Sequence, residues 1–273
     1  MAREFLSAGD RVVICGRSES RLHAALEMLH QDFGKDRVQG LQCDVSKPES
    51  MARLGVFAQQ CLGAVDVWIN NAGEVTSKRL LADVEPFEIV RVVGTNVVGS
   101  LLGSREAIRI MRSQPASRQP KYHIFNLGFS SFGAQFSKSA VTHKATKMAL
   151  KQLSESLAEE LLQEGLCSIA VHNLSPGMVL TDLLLKDSTV AARRFFNTLA
   201  EEPETVAAAL VPRIRAVQGT GGSVDYMSPA DAFVRVLWGL PQIVNGGRFF
   251  DKEGNRVAAG THKYQTNGVR EQY

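Results

Sequence analysis

The chain of 273 residues is 44% hydrophobic and 22% charged, which suffices for one large α/β domain or two small ones. Its formal net charge of +3 is small, and basic and acidic residues are interspersed, so the sequence does not indicate nucleic-acid binding. Its longest apolar runs are far shorter than the ~20 residues of a transmembrane helix. No low-complexity linker divides the chain, and we predict a single domain over residues 1–273.

The cysteines are scattered without the spacing of a metal site, and we predict none; they are Cys15, Cys43, Cys61 and Cys167. Cys15 and Cys167 lie in apolar, strand-like runs. We therefore expect buried thiols in a reducing compartment.

Strands and helices alternate along the predicted chain. Residues 1–6 form the end of a helix that Gly9 terminates, and Ser18 caps a second helix. Ser46 and Glu49 have the spacing of a capping box for a third. Strands are predicted at residues 11–17, 38–45, 65–69, 122–127 and 168–174, and longer helices at about residues 85–111 and 144–165.

This alternation favours right-handed βαβ crossovers and an α/β fold with a doubly wound, Rossmann-like parallel sheet. Beyond Gly177 the pattern weakens into helical segments rich in Ala, Leu and Phe. A late strand is predicted near residues 247–250, and a turn at residues 251–255 closes it.

The strand at residues 65–69 ends in Asn-Asn-Ala-Gly, at the sheet edge where open α/β sheets bind ligands. This segment resembles the NNAG signature of short-chain dehydrogenases/reductases. The resemblance implies that the segment supports the central sheet and that Asn71, Ala72 and Gly73 pass close to a nicotinamide cofactor. An ordinary turn rich in Asn and Gly is the alternative.

Three residues near the ends of the first two predicted strands are candidates for holding the adenosine end of that cofactor. Arg17 stands where an acid would bind a ribose hydroxyl and an arginine would pair with a 2′-phosphate, so it favours NADP over NAD. Asp44 and Val45 resemble the adenine-contacting pair of the family. A solvated surface arginine and a plain turn acid are the alternatives.

Asn96 lies within an apolar helix, where an unpaired amide would cost about 1–3 kcal/mol, so it must have partners. The family resemblance implies that it bends this helix and anchors a relay to the active-site lysine, Lys147. The resemblance also implies that Lys147 positions the cofactor ribose. A structural asparagine bonded to backbone is the alternative for Asn96.

His143 stands four residues before Lys147, where the family has a tyrosine that exchanges a proton with the carbonyl oxygen. The spacing places both side chains on one helical face. Imidazole titrates near neutrality, and the lysine charge disfavours its protonated form. The sequence leaves open a weak general acid or a histidine at a site that has lost catalysis.

Ser130 precedes His143 by the spacing typical of the carbonyl-polarising serine of the family, and Ser131 is its neighbour. Serines that serve only a turn are the alternative. After the strand at residues 168–174, a Pro-Gly segment resembles the one that contacts the nicotinamide carboxamide, and its candidates are Pro176, Gly177, Val179 and Thr181. A simple turn would also contain Pro and Gly.

A narrower resemblance is to the chlorophyll b reductases of plants and green algae, carried by residues 2–10, 68–73, 105–108, 123–126, 172–179 and 195–201. It implies reduction of the 7-formyl group of chlorophyll b to hydroxymethyl with NADPH in chlorophyll catabolism in the chloroplast. The substrate is then a small molecule, and residues 183–210 are a candidate lid, with core packing as the default explanation of this apolar region. Thylakoid membrane contact and pairing with a second copy or a paralogous reductase stay open.

The chain departs from the family pattern at its amino terminus, because the first strand and the Gly-rich pyrophosphate turn have no counterpart in the sequence. We expect an amino-terminally truncated form of a longer chain, since the neighbouring strands would otherwise lack partners. A transit peptide is likewise not apparent. A catalytically impaired pseudo-reductase that binds pigment or a partner is the alternative function.

Overall fold

Helices and strands alternate along the computed structural model, which describes residues 1–130 and 139–257. The helices are α1 (Ala2–Ser7), α2 (Glu19–Phe33), α3 (Pro48–Leu62), α4 (Pro86–Val93), α5 (Gly99–Met111), α6 (Val141–Gln163), α7 (Asp182–Leu185), α8 (Val190–Leu199), α9 (Pro203–Ala216) and α10 (Pro229–Asn245). The strands are β1 (Val12–Gly16), β2 (Val38–Gln42), β3 (Val67–Asn70), β4 (Tyr122–Leu127), β5 (Ile169–Ser175), β6 (Met178–Val179), β7 (Ala200–Glu201) and β8 (Ser223–Asp225).

The strands form parallel ladders, which confirms the predicted α/β class. β1 pairs with β2 in a two-stranded sheet, and a four-stranded sheet has the order β3-β4-β5-β8. β3, β4 and β5 are parallel. Within the described residues no ladder joins β1 to β3. The lack of a first strand stays a prediction.

The chain divides into two compact units, and the predicted single domain stays a prediction. The first unit comprises residues 1–175 and 211–224, and the second comprises residues 176–210 and 225–257 of the described chain. In the first unit the core consists of apolar residues of the sheet and its flanking helices, among them Ala107, Met111, Tyr122, Ile124 and Val171. In the second, Leu180, Phe196 and Phe250 form a smaller core.

The amino-terminal helix ends as predicted, with Gly9 at a positive φ of 97°. Ser18 caps α2 by accepting a hydrogen bond from the Arg21 amide. The predicted capping box of α3 is wrong. Ser46 instead donates its hydroxyl and amide to Asp44 Oδ1, and α3 begins with Pro48 after an N-cap at Lys47.

Two further expectations are corrected. Cys15 and Cys167 are exposed rather than buried, because β1 is only partly covered and Cys167 precedes the start of β5. The late strand near residues 247–250 amounts to two isolated antiparallel bridges, Gly246–Asp251 and Phe250–Arg256, because the chain turns back at once.

Across the described ranges, no helix is long and apolar enough to cross a bilayer.

Candidate active site

Asn96 is completely buried and joins three segments of the first unit. It lies in a π-helical turn, Gly94–Val98, between α4 and α5, which is where the predicted helix departs from regular geometry. Its Oδ1 accepts from the Glu74 amide at 2.7 Å, and its Nδ2 donates to the Glu74 carbonyl at 3.0 Å and to Thr146 Oγ1 at 2.9 Å. The amide therefore ties the loop after β3 to helix α6.

Lys147 is buried on α6 and lies beside the same loop. Its Nζ donates to the Leu127 carbonyl at 2.5 Å, where β4 ends. A methyl group on Gly73 would lie 3.6 Å from Lys147 Nζ and 3.7 Å from Asn96 Oδ1, so this glycine opens the space between them. Burial lowers the pKa of Lys147 to about 8.

His143 lies one turn before Lys147 and is also buried. Its ring meets Phe129 edge-on at 5.4 Å between centroids. Its Nδ1 is buried and has no hydrogen-bond partner in the described part of the chain. Burial, and second the charge of Lys147, lower the pKa of His143 to about 4, so the imidazole is neutral at neutral pH.

Ser130 follows Phe129 in the loop after β4, and its backbone amide donates to Ser175 Oγ at 3.0 Å. The loop that carries Ser130 therefore borders His143 through Phe129. Ser131 lies outside the described residues.

Arg17, just after β1, forms an ion pair with Glu74, which also pairs with Arg91 Nε at 2.7 Å. Partial burial alone would raise the pKa of Asp44, but hydrogen bonds from Ser46 and the charge of Arg17 hold it below its usual value. Arg17 and Asp44 thus share one electrostatic environment, and their role at a cofactor's adenosine end stays a prediction.

The other predicted cofactor contacts divide between the two units. In the first, Val45 packs closely on the helix at Gly99, where an added methyl would lie 2.7 Å from its Cγ2. Asn71 and Ala72 are exposed directly after β3.

The Pro-Gly segment belongs to the second unit. Pro176 precedes Gly177, which has a positive φ of 70°, and Val179 ends β6. Thr181 donates its hydroxyl to the Val179 carbonyl at 3.3 Å, at the start of α7.

Sequence reasoning missed Glu74, Thr146 and Phe129. Glu74 bonds to Asn96 through both backbone groups and to Arg17 and Arg91 through its carboxylate. Thr146 accepts from Asn96 and donates to the His143 carbonyl at 2.9 Å. The sequence signals Thr146 only as a threonine inside an amphipathic helix. It carries no signal for Glu74 or Phe129.

The donor set fits a nicotinamide ribose. A lysine ammonium is suited to ribose hydroxyls, and Gly73 leaves the space between Lys147 and Asn96 without a side chain. Among the described residues, no group of three or more His, Cys, Asp or Glu is placed to bind a metal.

Comparison with known proteins gives a family match over most of the chain. The short chain dehydrogenase family model matches residues 1–190. The probable chlorophyll(ide) b reductase NYC1 of Oryza sativa subsp. japonica is 38% identical over 95% of this chain and 52% of its own length. The chlorophyll(ide) b reductase NOL of Arabidopsis thaliana is 38% identical over 96% of this chain and 71% of its own. The chain thus spans about half the length of its NYC1 relatives.

Solved structures are similar as well. The 3-ketoacyl-(acyl-carrier-protein) reductase of Brucella melitensis, complexed with NADH, superposes with a TM-score of 0.66 at 26% identity, over 82% of this chain and 89% of the other. A 7α-hydroxysteroid dehydrogenase complexed with NADH gives a TM-score of 0.67 at 22% identity, over 82% and 86%, and this supports the fold alone.

Proposed function

Because this chain belongs to the short-chain dehydrogenase family, we propose that it is a nicotinamide-dependent carbonyl reductase. The observation that carries the proposal is the buried group of Asn96, Lys147 and His143 near the carboxyl ends of β3 and β4. Thr146 links Asn96 to the His143 carbonyl, and Lys147 donates to the Leu127 carbonyl at the end of β4. Open α/β sheets bind their ligands at this edge.

We assign the roles of the reaction as follows. A bound reduced nicotinamide would supply the hydride for the carbonyl carbon. Lys147 holds the cofactor ribose, and Asn96 fixes the loop at Glu74 and helix α6 around it. Ser130 donates a hydrogen bond to the carbonyl oxygen. This polarisation makes the carbon more electrophilic.

His143 is the proposed proton donor to the oxygen, and its environment makes it a weak one. A neutral imidazole can donate an N–H hydrogen bond, as in other enzymes that polarise carbonyls this way, but it gives up its proton reluctantly. The lowered pKa of His143 keeps it neutral at working pH. We expect slow turnover, with the proton replenished from solvent.

We propose NADPH as the cofactor, with Arg17 as the ligand of its 2′-phosphate. The Glu74 carboxylate pairs with the Arg17 guanidinium and holds it in place. A 2′-phosphate would replace this carboxylate as the partner of Arg17. Asp44, Val45, Asn71, Ala72 and Gly73 would line the path of the dinucleotide, and Pro176, Gly177, Val179 and Thr181 would meet the nicotinamide. Arg17→Ala is expected to lower the preference for NADPH over NADH about tenfold in steady-state kinetics, the loss of about one charge-assisted contact.

We propose that the substrate is chlorophyll b, or a related aldehyde, reduced at its 7-formyl group. The support is the 38% identity, over nearly the whole chain, to relatives named chlorophyll(ide) b reductases. Residues 183–210 supply apolar surface for a large, flat substrate, since Leu183 and Phe195 are partly exposed.

The relatives are named chloroplastic, and we propose the chloroplast for this chain, with peripheral contact to the thylakoid membrane. We further propose that it pairs with a second copy or a paralogous reductase through the α4–α5 face, defined by Phe87, Val90 and Leu101. These three apolar side chains are exposed to solvent. Exposed apolar patches often mark surfaces that bind another protein.

The test is NADPH-dependent conversion of detergent-solubilised chlorophyll b by the purified protein, with the hydroxymethyl product identified by chromatography and mass. The expected result is product from the parent and almost none from Lys147→Met. Well-folded parent that binds NADPH but yields no product would remove the substrate assignment. Equal product from Lys147→Met would remove the site.

A further inference from the structure

The carboxylate of Glu74, in the first unit, is shared by two arginines from separate elements. Its Oε1 pairs with the guanidinium of Arg17, just after β1, and its Oε2 lies 2.7 Å from Arg91 Nε on α4. Thr95 also donates its hydroxyl to Oε1, at 3.3 Å. The Glu74 side chain is only 14% exposed, whereas those of Arg17 and Arg91 are about half exposed. An anion from solvent can therefore reach both arginines, and the Glu74 carboxylate is the group that it would have to displace.

The charges of this group do not balance. Two guanidiniums face one carboxylate, which leaves one positive charge. Asp44 also lies near Arg17, but its Oδ1 already accepts from the Ser46 hydroxyl at 2.7 Å and from the Ser46 amide at 3.0 Å. A phosphate monoester carries a charge of about −1.5 to −2 and three acceptor oxygens. Two arginine forks therefore suit a phosphate better than a single carboxylate.

The backbone of Glu74 is held independently of its carboxylate. Its amide donates to Asn96 Oδ1 at 2.7 Å, and its carbonyl accepts from Asn96 Nδ2 at 3.0 Å. Asn96 itself is fully buried and is tied to α6 through Thr146. The carboxylate can therefore leave the arginines by side-chain rotation alone, while the loop after β3 keeps its place.

On the basis of the proposed function, we propose that Arg17 and Arg91 together clamp the 2′-phosphate of NADPH and that Glu74 is the internal competitor of this phosphate. Because the carboxylate is tethered to the same chain, its effective concentration at the arginines is on the order of millimolar or higher. Binding of NADPH must displace it, and the free energy of that displacement lowers the affinity for the cofactor. Glu74, which sequence reasoning missed, thus sets how tightly the proposed site holds NADPH.

The same competition determines which cofactor is preferred. NADPH replaces the Glu74 carboxylate with a phosphate of higher charge, so both arginines keep an anionic partner. NADH has a ribose hydroxyl at that position and leaves the ion pairs of Glu74 as they are. Arg91 therefore contributes to the preference for NADPH, although it lies on α4 and is distant in sequence from Arg17.

Isothermal titration calorimetry at constant ionic strength tests the proposal with two ligands. Adenosine 2′,5′-bisphosphate carries the second phosphate without the nicotinamide, and 5′-AMP lacks that phosphate. The proteins are the parent, Arg91→Ala, and Glu74→Gln, which keeps the backbone bonds to Asn96. Glu88→Gln is the matched control, because Glu88 is similarly buried, at 12% exposed, and pairs with a different arginine, Arg79.

We expect Glu74→Gln to bind the bisphosphate at least about tenfold more tightly than the parent, since the competitor is removed, and Arg91→Ala to bind it about tenfold more weakly. The affinity for 5′-AMP should stay within about twofold in all four proteins, as should the affinity of Glu88→Gln for the bisphosphate. Glu74→Asp is a second variant that keeps the charge but is one methylene shorter, so that it should lose one of the two arginines. We expect a gain of about threefold, which separates the reach of the side chain from the net charge.

Equal binding of the bisphosphate by the parent and Glu74→Gln, or an equal gain in Glu88→Gln, overturns the role of Glu74 as competitor. Unchanged binding by Arg91→Ala overturns the clamp, and a lack of binding by both the parent and Glu74→Gln overturns the two together. These results are independent of turnover. A parent that shows the expected pattern but reduces no carbonyl would remove the proposed reductase activity and leave the clamp in place.

Discussion

Two buried asparagine clusters of the first unit differ in whether their polar atoms are all paired. Asn70 donates to Asn126 Oδ1 at 2.8 Å and to Ser104 Oγ at 3.0 Å, and it accepts from Trp68 Nε1 at 2.9 Å. Asn126 in turn donates to Ser154. We call this set the Asn70 cluster, and its polar groups satisfy one another.

The Asn96 cluster, formed by Asn96, Thr146, His143 and Lys147, is buried to a similar degree, but not all of its polar atoms have hydrogen-bond partners among the described residues. His143 Nδ1 has no partner within the described residues, and burial lowers the pKa of both His143 and Lys147. Perturbed and unsatisfied groups are typical of functional sites, whereas saturated networks stabilise a fold. We therefore propose that Asn70 and Gly73, three residues apart in one motif, serve two different purposes.

Lys147→Met should show the difference between the two clusters most clearly, because it should lower turnover without lowering stability. We expect turnover to fall about 1000-fold, roughly 4 kcal/mol in the barrier, because the proposed ribose contact and the positive charge are lost. Stability should not fall, since a buried charge is replaced by an apolar chain of similar length. Lys151→Met, one turn further along α6, is the matched control and should keep turnover within twofold. Comparable losses in both variants would contradict the assignment.

Asn70→Ala should have the reverse effect. It leaves Trp68 Nε1 without its acceptor and removes the donor that Asn126 Oδ1 and Ser104 Oγ share, so that these two keep only a bond of 3.4 Å to each other. We expect the free energy of unfolding to drop by about 3 kcal/mol. Turnover per folded molecule should stay within threefold. Urea denaturation measures the first and steady-state kinetics the second. A stable Asn70→Ala protein with low turnover would mean that the Asn70 cluster belongs to the site.

A third buried group predicts how stability depends on pH. Burial, and second the charge of His123, lower the pKa of His172 to about 4, while the unfolded chain keeps the ordinary value. The unfolded state therefore binds more protons between these values, and stability falls as pH drops from about 6.5 toward 4. His172→Phe should remove about 2 kcal/mol of the loss between pH 7 and pH 5. Equal pH dependence of stability in the parent and in His172→Phe would refute the argument.

His143→Tyr tests how far the Asn96 cluster is from an efficient one. A phenol beside Lys147 is a better proton donor than a neutral imidazole, so we expect turnover to rise about tenfold. His143→Phe has a ring of similar size without the hydroxyl and should give no rise. A rise with Phe, or a fall with Tyr, would show that His143 acts in another way.

Much of the first unit could be predicted from sequence because its strands are apolar and its helices periodic. β4 was predicted at its observed bounds, since Tyr122–Leu127 is a buried run between polar flanks. The predicted capping box of α3 is wrong because the Ser46 hydroxyl donates instead to Asp44, two residues before it. Cys15 was expected to be buried, but exposure depends on which elements cover β1, and no local pattern shows that.

The candidate site was predictable only in part. The family resemblance identified Asn96, His143 and Lys147, and the structure brings them together. Glu74 could not be found, because its role comes from backbone hydrogen bonds and from arginines that are distant in sequence. The unpaired state of His143 Nδ1 likewise depends on neighbours from other segments.

Calorimetric titration with NADPH tests most directly whether the Asn96 cluster is a cofactor site, and the parent, Asn70→Ala and Lys147→Met proteins should be compared. We predict submillimolar, saturable binding to the parent and to Asn70→Ala, and at least tenfold weaker binding to Lys147→Met. A folded parent that binds no NADPH in this range, or equal affinity in Lys147→Met, would contradict it.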